Sequence, residues 1–330
     1  MSRLIASLKS YFKELWDAWN GFWFSAIDPA TVSLLRLLAG GMLLYTHLIW
    51  SLDLAGFIGP DGYLPLDALT ELQAAGPDAG RPWHVWSLFF VPMSPWLLWT
   101  VHLTALVVFA MFAAGLFTRA TSIVAYLLAV SYAQRVTPGA YFGLDKVNCM
   151  MAMYLMLAPC GARYSLDRWR RLRQGDDSEP APSVAANLAT RLLQLHLAVI
   201  YLFSALAKLG GETWAAGTAL WWAVANHEYQ SLDMTWLAGW PILTALLTHI
   251  TVVWELFYIC LVWNRFTRPL MLGIAVAVHA GIALTMGMIT FGSAMIFANL
   301  SFLQPSTVRS WIDPITARLA IALGPSSSDK

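Results

Sequence analysis

Apolar residues in this chain come in long runs separated by short polar segments, and strict two-residue alternation is absent. Eight such runs predict spanning helices, at about Pro29–Leu52, Pro95–Gly115, Ala120–Val136, Val147–Pro159, Leu188–Leu209, Pro241–Trp263, Pro269–Met286 and Ile289–Leu303. About 20 apolar residues at 1.5 Å per residue match the hydrocarbon core of a bilayer. The fourth run is short, and its approach through Tyr141 to Lys146 reads as irregular. The last two read as a tight helical hairpin around Gly287. The flanks differ in pattern. Ser2 to Ser25 mixes Arg3, Lys9 and Lys13 with Tyr11, Phe12, Trp16, Trp19 and Trp23, which predicts an amphipathic helix lying in the membrane interface. Thr307 to Leu323 predicts a second one, followed by a frayed tail.

The expected organisation is therefore an N-terminal amphipathic helix (1–27), a transmembrane domain (28–304) and a C-terminal helix and tail (305–330). A linker at 161–186 interrupts the domain with five arginines and the segment QGDDSEPAPS. Leu54 to Ser94 and Gly210 to Trp240 are the long polar connections. The fold class is an all-α polytopic membrane protein of about eight transmembrane helices.

Composition agrees: 58% of residues are hydrophobic and 12% charged, about half the charged share of a soluble domain. A net charge of +1 argues against nucleic acid as a partner and directs attention to charge asymmetry between segments. With both termini cytoplasmic, the inner segments hold Arg3, Lys9, Lys13, Arg119, the five linker arginines, Arg265, Arg268, Arg309, Arg318 and Lys330. The outer segments hold only Arg81, Arg135 and Lys146. Cytoplasmic segments of bacterial inner-membrane proteins carry this excess of Lys and Arg, so the rule supports that location and orientation. No cleavable signal peptide is visible. Cys149, Cys160 and Cys260 lie in apolar runs and read as buried and inert; on one helix, Cys149 and Cys160 would be about 16 Å apart, too far to bridge.

Candidate chemistry starts at Lys208, at the end of the fifth run. A lysine there either snorkels to the headgroups or is held for chemistry. Tyr201, Ser204 and Lys208 recur at i, i+3 and i+7, one stripe of a helix, and a polar stripe ending in a cation should face protein or water because lipid offers no partners. A desolvated lysine can lose its proton near neutral pH and serve as a base toward a phenol or quinol. Asp145 and Lys146 sit at a similar outer depth, as ligand groups or as an interfacial ion pair. Trp214, Trp221 and Trp222 read as an aromatic belt or as the wall of a headgroup slot. Arg36 and Glu255 fall at similar inner depths and are expected to form a structural charge pair. The histidines are scattered over five runs with no metal-ligand spacing, so no metal site is expected. No nucleotide loop, nucleophile elbow or internal repeat is present.

The stretch FSALAKLGGETWAAGTAL around Lys208 resembles the corresponding part of vitamin K-dependent gamma-carboxylases and their bacterial relatives, the horizontally transferred transmembrane (HTTM) family. LDKVNCMMAMYL with the following RYSLDRW (Leu144 to Trp169) and VAVHAGIALTMGMITFGSAMIFANLSFL (Val276 to Leu303) extend the resemblance over much of Asp28 to Leu303. It implies that Lys208 occupies the place of the catalytic base and singles out His279 among the histidines; Tyr201 and Ser204, on the same helix stripe, are expected to orient the Lys208 amine. The position of the carboxylase's assisting histidine is Ala152 here, and the chain ends soon after the membrane domain, so glutamate carboxylation itself is not implied. Two functions follow as expectations. One is an enzyme-like protein binding a lipophilic quinol-like or lipid-like molecule in an outward-facing cavity, with Lys208 as base or anchor and a quinol, quinone or lipid as cofactor. The other is a non-catalytic membrane partner in the maturation or export of a secreted peptide, as some relatives are.

Overall fold

Helices dominate the computed structural model, which describes residues 2–75, 85–136 and 143–322. Among these residues there is no strand, only an isolated antiparallel bridge between Ile27 and Ser183. Asp78, Arg81, Tyr141 and the tail from Leu323 lie outside the described residues.

In chain order the helices are α1 (Ser2–Phe24), α2 (Ala30–Trp50), α3 (Leu54–Ile58), α4 (Leu66–Ala74), α5 (Pro95–Ala114), α6 (Thr118–Val136), α7 (Gly143–Leu157) and α8 (Leu166–Arg173). Then follow α9 (Val184–Leu209), α10 (Glu212–Ala215), α11 (Ala219–Val224), α12 (Pro241–Leu261), α13 (Arg268–Thr285), α14 (Ile289–Asn299) and α15 (Pro305–Ala322). Their boundaries follow local chemistry. Ser94 caps α5 by accepting from the Leu97 amide, and Pro95 opens the helix, where its missing N–H costs nothing. Gly115 ends α5 at φ +70°, a left-handed cap that glycine adopts without steric cost. Asn187 donates to the Phe22 and Trp23 carbonyls at 2.9 and 3.1 Å, satisfying the end of α1.

Five segments are long and apolar enough to cross a membrane: Ala30–Ile58 (α2 with α3), α5, α9, α12 and α13. The chain is thus an all-helical protein of multi-pass type. The other three expected spans differ in kind. α6 carries Arg119, Arg135 and several hydroxyl residues, α7 has 15 residues, and α14 has 11 with a 3₁₀ turn after it. At 1.5 Å per residue α7 reaches only about 22 Å. It sits inside the bundle, packed on α2, α6, α9 and α14, where protein replaces lipid as its neighbour. α2 is more enclosed still, against α5, α7, α9, α14 and α15. Gly40 allows the α2–α5 approach, since a Cβ there would lie 2.6 Å from the Cα of Ala113. The expected hairpin of the last two runs is present: α13 and α14 pack closely, with Gly287 at φ +68° in the turn.

At one end of the bundle α1, the 161–186 linker and α15 meet. Arg163 bonds both Asp28 oxygens at 2.8 Å and Glu179 at 2.6 Å, Arg309 reaches Asp28 at 3.3 Å and Asp313 at 3.1 Å, and the Tyr164 hydroxyl donates to Asp313 at 2.8 Å. The linker is thereby pinned rather than loose. Asp167 caps α6 from the start of α8, accepting from the Phe117 amide at 2.9 Å and from the amide and hydroxyl of Thr118 at 2.7 Å. Burial pushes its carboxyl up, but these donors outweigh burial and keep it below the usual carboxylate range.

Two arginines differ from their expected settings. Arg36 is fully buried and donates to the Tyr164 carbonyl, so it is not the partner of Glu255. Tyr164 has φ +49°, and this bend turns its carbonyl out of any helical ladder and toward α2. Arg135, expected in an outer polar segment, is also fully buried and donates to the carbonyls of Gly59 and Leu64 at 2.7 and 2.9 Å. Of the cysteines Cys160 is buried and Cys149 half-buried, as apolar placement predicts, whereas Cys260 is exposed.

Candidate functional site

The densest polar cluster of the α9–α12 pairing is built on the stripe of α9 that carries Tyr201, Ser204 and Lys208. Lys208 lies next to the last residue of its helix, yet its amine points back along the axis and donates to Ser204 Oγ, one turn earlier, at 2.5 Å. It also donates to both carboxylate oxygens of Glu255 on α12, at 2.8 and 2.6 Å. A snorkelling lysine at a helix end extends away from the apolar run toward water. This one turns inward, with its side chain only 19% exposed and that of Glu255 8% exposed. The Trp214 ring of α10 lies 5.2 Å from the ammonium, a cation–π distance.

One turn deeper along the same two helices lies a second polar layer. The Tyr201 and Tyr258 rings are 4.5 Å apart, with Trp254 4.8 Å from Tyr201. Tyr258 donates to Asn299 Oδ1 at 2.6 Å, and Asn299 Nδ2 donates to the Tyr201 hydroxyl and to the Met295 carbonyl, each at 2.9 Å. The Tyr201 hydroxyl, having accepted from Asn299, gives its own proton to His279 Nε2 at 2.8 Å. The His279 ring proton then sits on Nδ1, a buried donor without a partner among the described residues. Three helices of the C-terminal half, α12, α13 and α14, thus converge on one face of α9.

Tyr201, Ser204, Lys208 and His279 come together here, with Trp214 above the amine. The α11 tryptophans do not join them. Trp222 is exposed, Trp221 is half-buried, and among the described residues neither bonds to the cluster. Asp145 and Lys146 lie elsewhere: Asp145 is buried among α2, α6 and α7, while Lys146 is exposed. Glu255 belongs to the site as the partner of Lys208, which the depth of its residue along α12 did not reveal. Asn299 and Tyr258 were not expected at all. The signal available for them was polarity alone, an Asn at the end of an apolar run and a Tyr one turn after Glu255.

Chemically the cluster holds one ammonium–carboxylate pair, a hydroxyl chain ending in a neutral imidazole, and aromatic walls. Among the described residues no group of His, Cys, Asp and Glu is arranged to hold a metal ion. Compared with family models, with curated proteins and with solved structures, the chain matches none.

Proposed function

We propose that this chain is a bacterial inner-membrane protein of eight spans, with α6, α7 and α14 completing the five long helices. Both termini are cytoplasmic, and α1 and α15 lie along the membrane surface. The cytoplasmic excess of Lys and Arg supports the orientation. The exposed rings of Tyr11, Phe12, Trp16 and Trp19 support the surface position of α1.

The site at Lys208 binds a lipophilic quinol-like or lipid-like molecule from the outer side, and Lys208 acts as base or anchor toward its polar head. The inward turn of the Lys208 amine onto Glu255 and Ser204 carries this reading. An ion pair at membrane depth is expensive compared with apolar side chains of the same size, so stability alone does not favour it. The pair also supplies the chemistry a base requires. Transfer of one proton from the ammonium to Glu255 leaves a neutral pair, and the free amine then accepts the proton of a bound hydroxyl, giving ammonium beside oxyanion. Tyr201 and His279 line the deeper wall, and Trp214 covers the amine. The resemblance of three stretches to vitamin K-dependent carboxylases and the HTTM family supports the assignment of Lys208.

The test is the double variant Lys208→Met/Glu255→Met, which removes both charges at nearly constant volume. The expected protein inserts and melts near the parent temperature, yet fails to rescue a deletion phenotype and loses the lipophilic molecule that mass spectrometry detects with the parent. Full rescue would reduce the pair to a helix clamp and favour the non-catalytic role in secreted-peptide maturation. Orientation is checked by labelling: Ser178→Cys should react from the cytoplasm only and Glu228→Cys from outside only.

A further inference from the structure

A second polar recess lies between α2, α6 and α7, away from Lys208, and is lined by His47, Trp50, Tyr132, Asp145, Asn148 and Cys149. It has room for about one water-sized group. The Ser51 hydroxyl donates to the His47 carbonyl at 3.1 Å, so His102 Nε2–H donates to Ser51 Oγ at 2.8 Å, and His102 Nδ1 takes the Tyr132 hydroxyl proton at 2.7 Å. That relay consumes the Tyr132 donor. His47 Nδ1 donates to the Leu43 carbonyl at 2.7 Å, which leaves Nε2 a lone pair with no partner among the described residues. Asn148 Oδ1 is likewise unpartnered among the described residues, and the Asp145 carboxylate lines the same recess. His47 and Asn148 are each 3% exposed and Asp145 9%.

Two unpartnered acceptors and the Asp145 carboxylate therefore share a recess whose own donors, the Asn148 amide, the Trp50 indole N–H and the Cys149 thiol, reach neither acceptor among the described residues. Unmet acceptors at this depth call for a donor, and a carboxylate among them calls for a cation. The faces of Trp50 and Tyr132, 5.6 Å apart at the rings and both close to the His47 ring, favour a cation as well. We infer that this recess binds a primary ammonium group, whose three N–H donors match His47 Nε2, Asn148 Oδ1 and Asp145. A quaternary ammonium has no N–H to give and is too bulky for the recess. His47 lies in the last turn of α2 and Asp145 in the first turn of α7, so the recess sits toward one end of the bundle. A primary ammonium reaches that position either on an ethanolamine lipid headgroup or as a free amine.

The experiment uses the full chain in a mild maltoside detergent and follows its melting temperature. The additives are ethylammonium chloride, tetramethylammonium chloride or sodium chloride at matched ionic strength, and, separately, short-chain phosphatidylethanolamine or phosphatidylcholine. Ethylammonium or phosphatidylethanolamine should raise the melting temperature, and the other three should not. Asp145→Asn should raise the half-saturating concentration about tenfold or more, the scale of a hydrogen bond to a charged group. Asn148→Leu should also weaken binding, and serves alone if Asp145→Asn does not fold. A response to phosphatidylethanolamine alone assigns the lipid headgroup, and a response to ethylammonium alone assigns a soluble amine. Equal stabilisation by tetramethylammonium or sodium overturns the inference. So does a response that survives both substitutions, or the lack of any response to either amine.

Discussion

The Lys208–Glu255 pair and the charge network at the opposite end of the helices solve the same problem in different ways. Lys208 and Glu255 are partly or fully buried and rely on each other, with Ser204 as the only other hydrogen-bond partner of the amine among the described residues. Asp28, Arg163, Glu179, Arg309 and Asp313 share their bonds: Asp28 serves two arginines, and Arg309 serves three carboxylates. Glu179 is largely exposed and Arg309 is more exposed than Lys208, so water can replace a lost partner there. The difference separates a site that tolerates no unpaired member from a fastening that spreads its load.

The largest expected effect comes from breaking the isolated pair. Glu255→Leu strands the Lys208 charge and should destabilise by about 3–5 kcal/mol, the cost of an uncompensated buried charge. Lys208→Met in the same chain should recover most of that loss in a thermal melt, and a failure to recover would remove the pairwise character on which the comparison rests. Next is Gly115→Ala. Gly115 sits at φ +70°, and the Arg36 guanidinium occupies the space a Cβ would need, so a loss of about 1–3 kcal/mol is expected. If the variant is silent in a denaturation series, Arg36 is less firmly held than its bond to Tyr164 indicates.

A smaller effect belongs to Asp167→Ala, which removes the cap of α6 and should cost about 1 kcal/mol. Its sign with pH follows from a folded carboxyl held below its ordinary value. The contribution is present above the unfolded value of about 3.9 and is lost as pH falls through the lower folded value. Parent and variant should therefore converge in stability on acidification below about pH 4, and a constant gap down to pH 2 would contradict the assignment. Smallest is Arg309→Ala, at about 0–1 kcal/mol because the network is shared and open to water. Its effect should shrink further in high salt. An effect as large as that of Glu255→Leu would erase the distinction between the two regions.

Much of the helical layout was legible from the apolar runs. The start of α5 at Pro95 and of α12 at Pro241, the end of α9 at Leu209 and the Gly287 hairpin all follow from composition and from Pro and Gly. The stripe of Tyr201, Ser204 and Lys208 was legible because helical spacing alone brings those side chains to one face. What failed was matching depths across helices. Counting residues from helix ends put Glu255 level with Arg36 and left Lys208 near the surface. That count locates Cα atoms and ignores that a helical side chain leans toward its own N-terminus, which here carries the Lys208 amine a full turn inward. Nor does composition show that a backbone carbonyl, bent out at Tyr164, can satisfy a buried arginine.

Arg135 has a mechanical consequence for the segment after α3. Its guanidinium gathers the carbonyls of Gly59 and Leu64, two points of one turn, onto α6. Swinging that turn outward would strip a buried cation of the two carbonyls that accept from it, which is costly. The turn is therefore riveted to the bundle. Amide exchange of the Gly59–Leu64 turn should therefore report the opening of α6 itself.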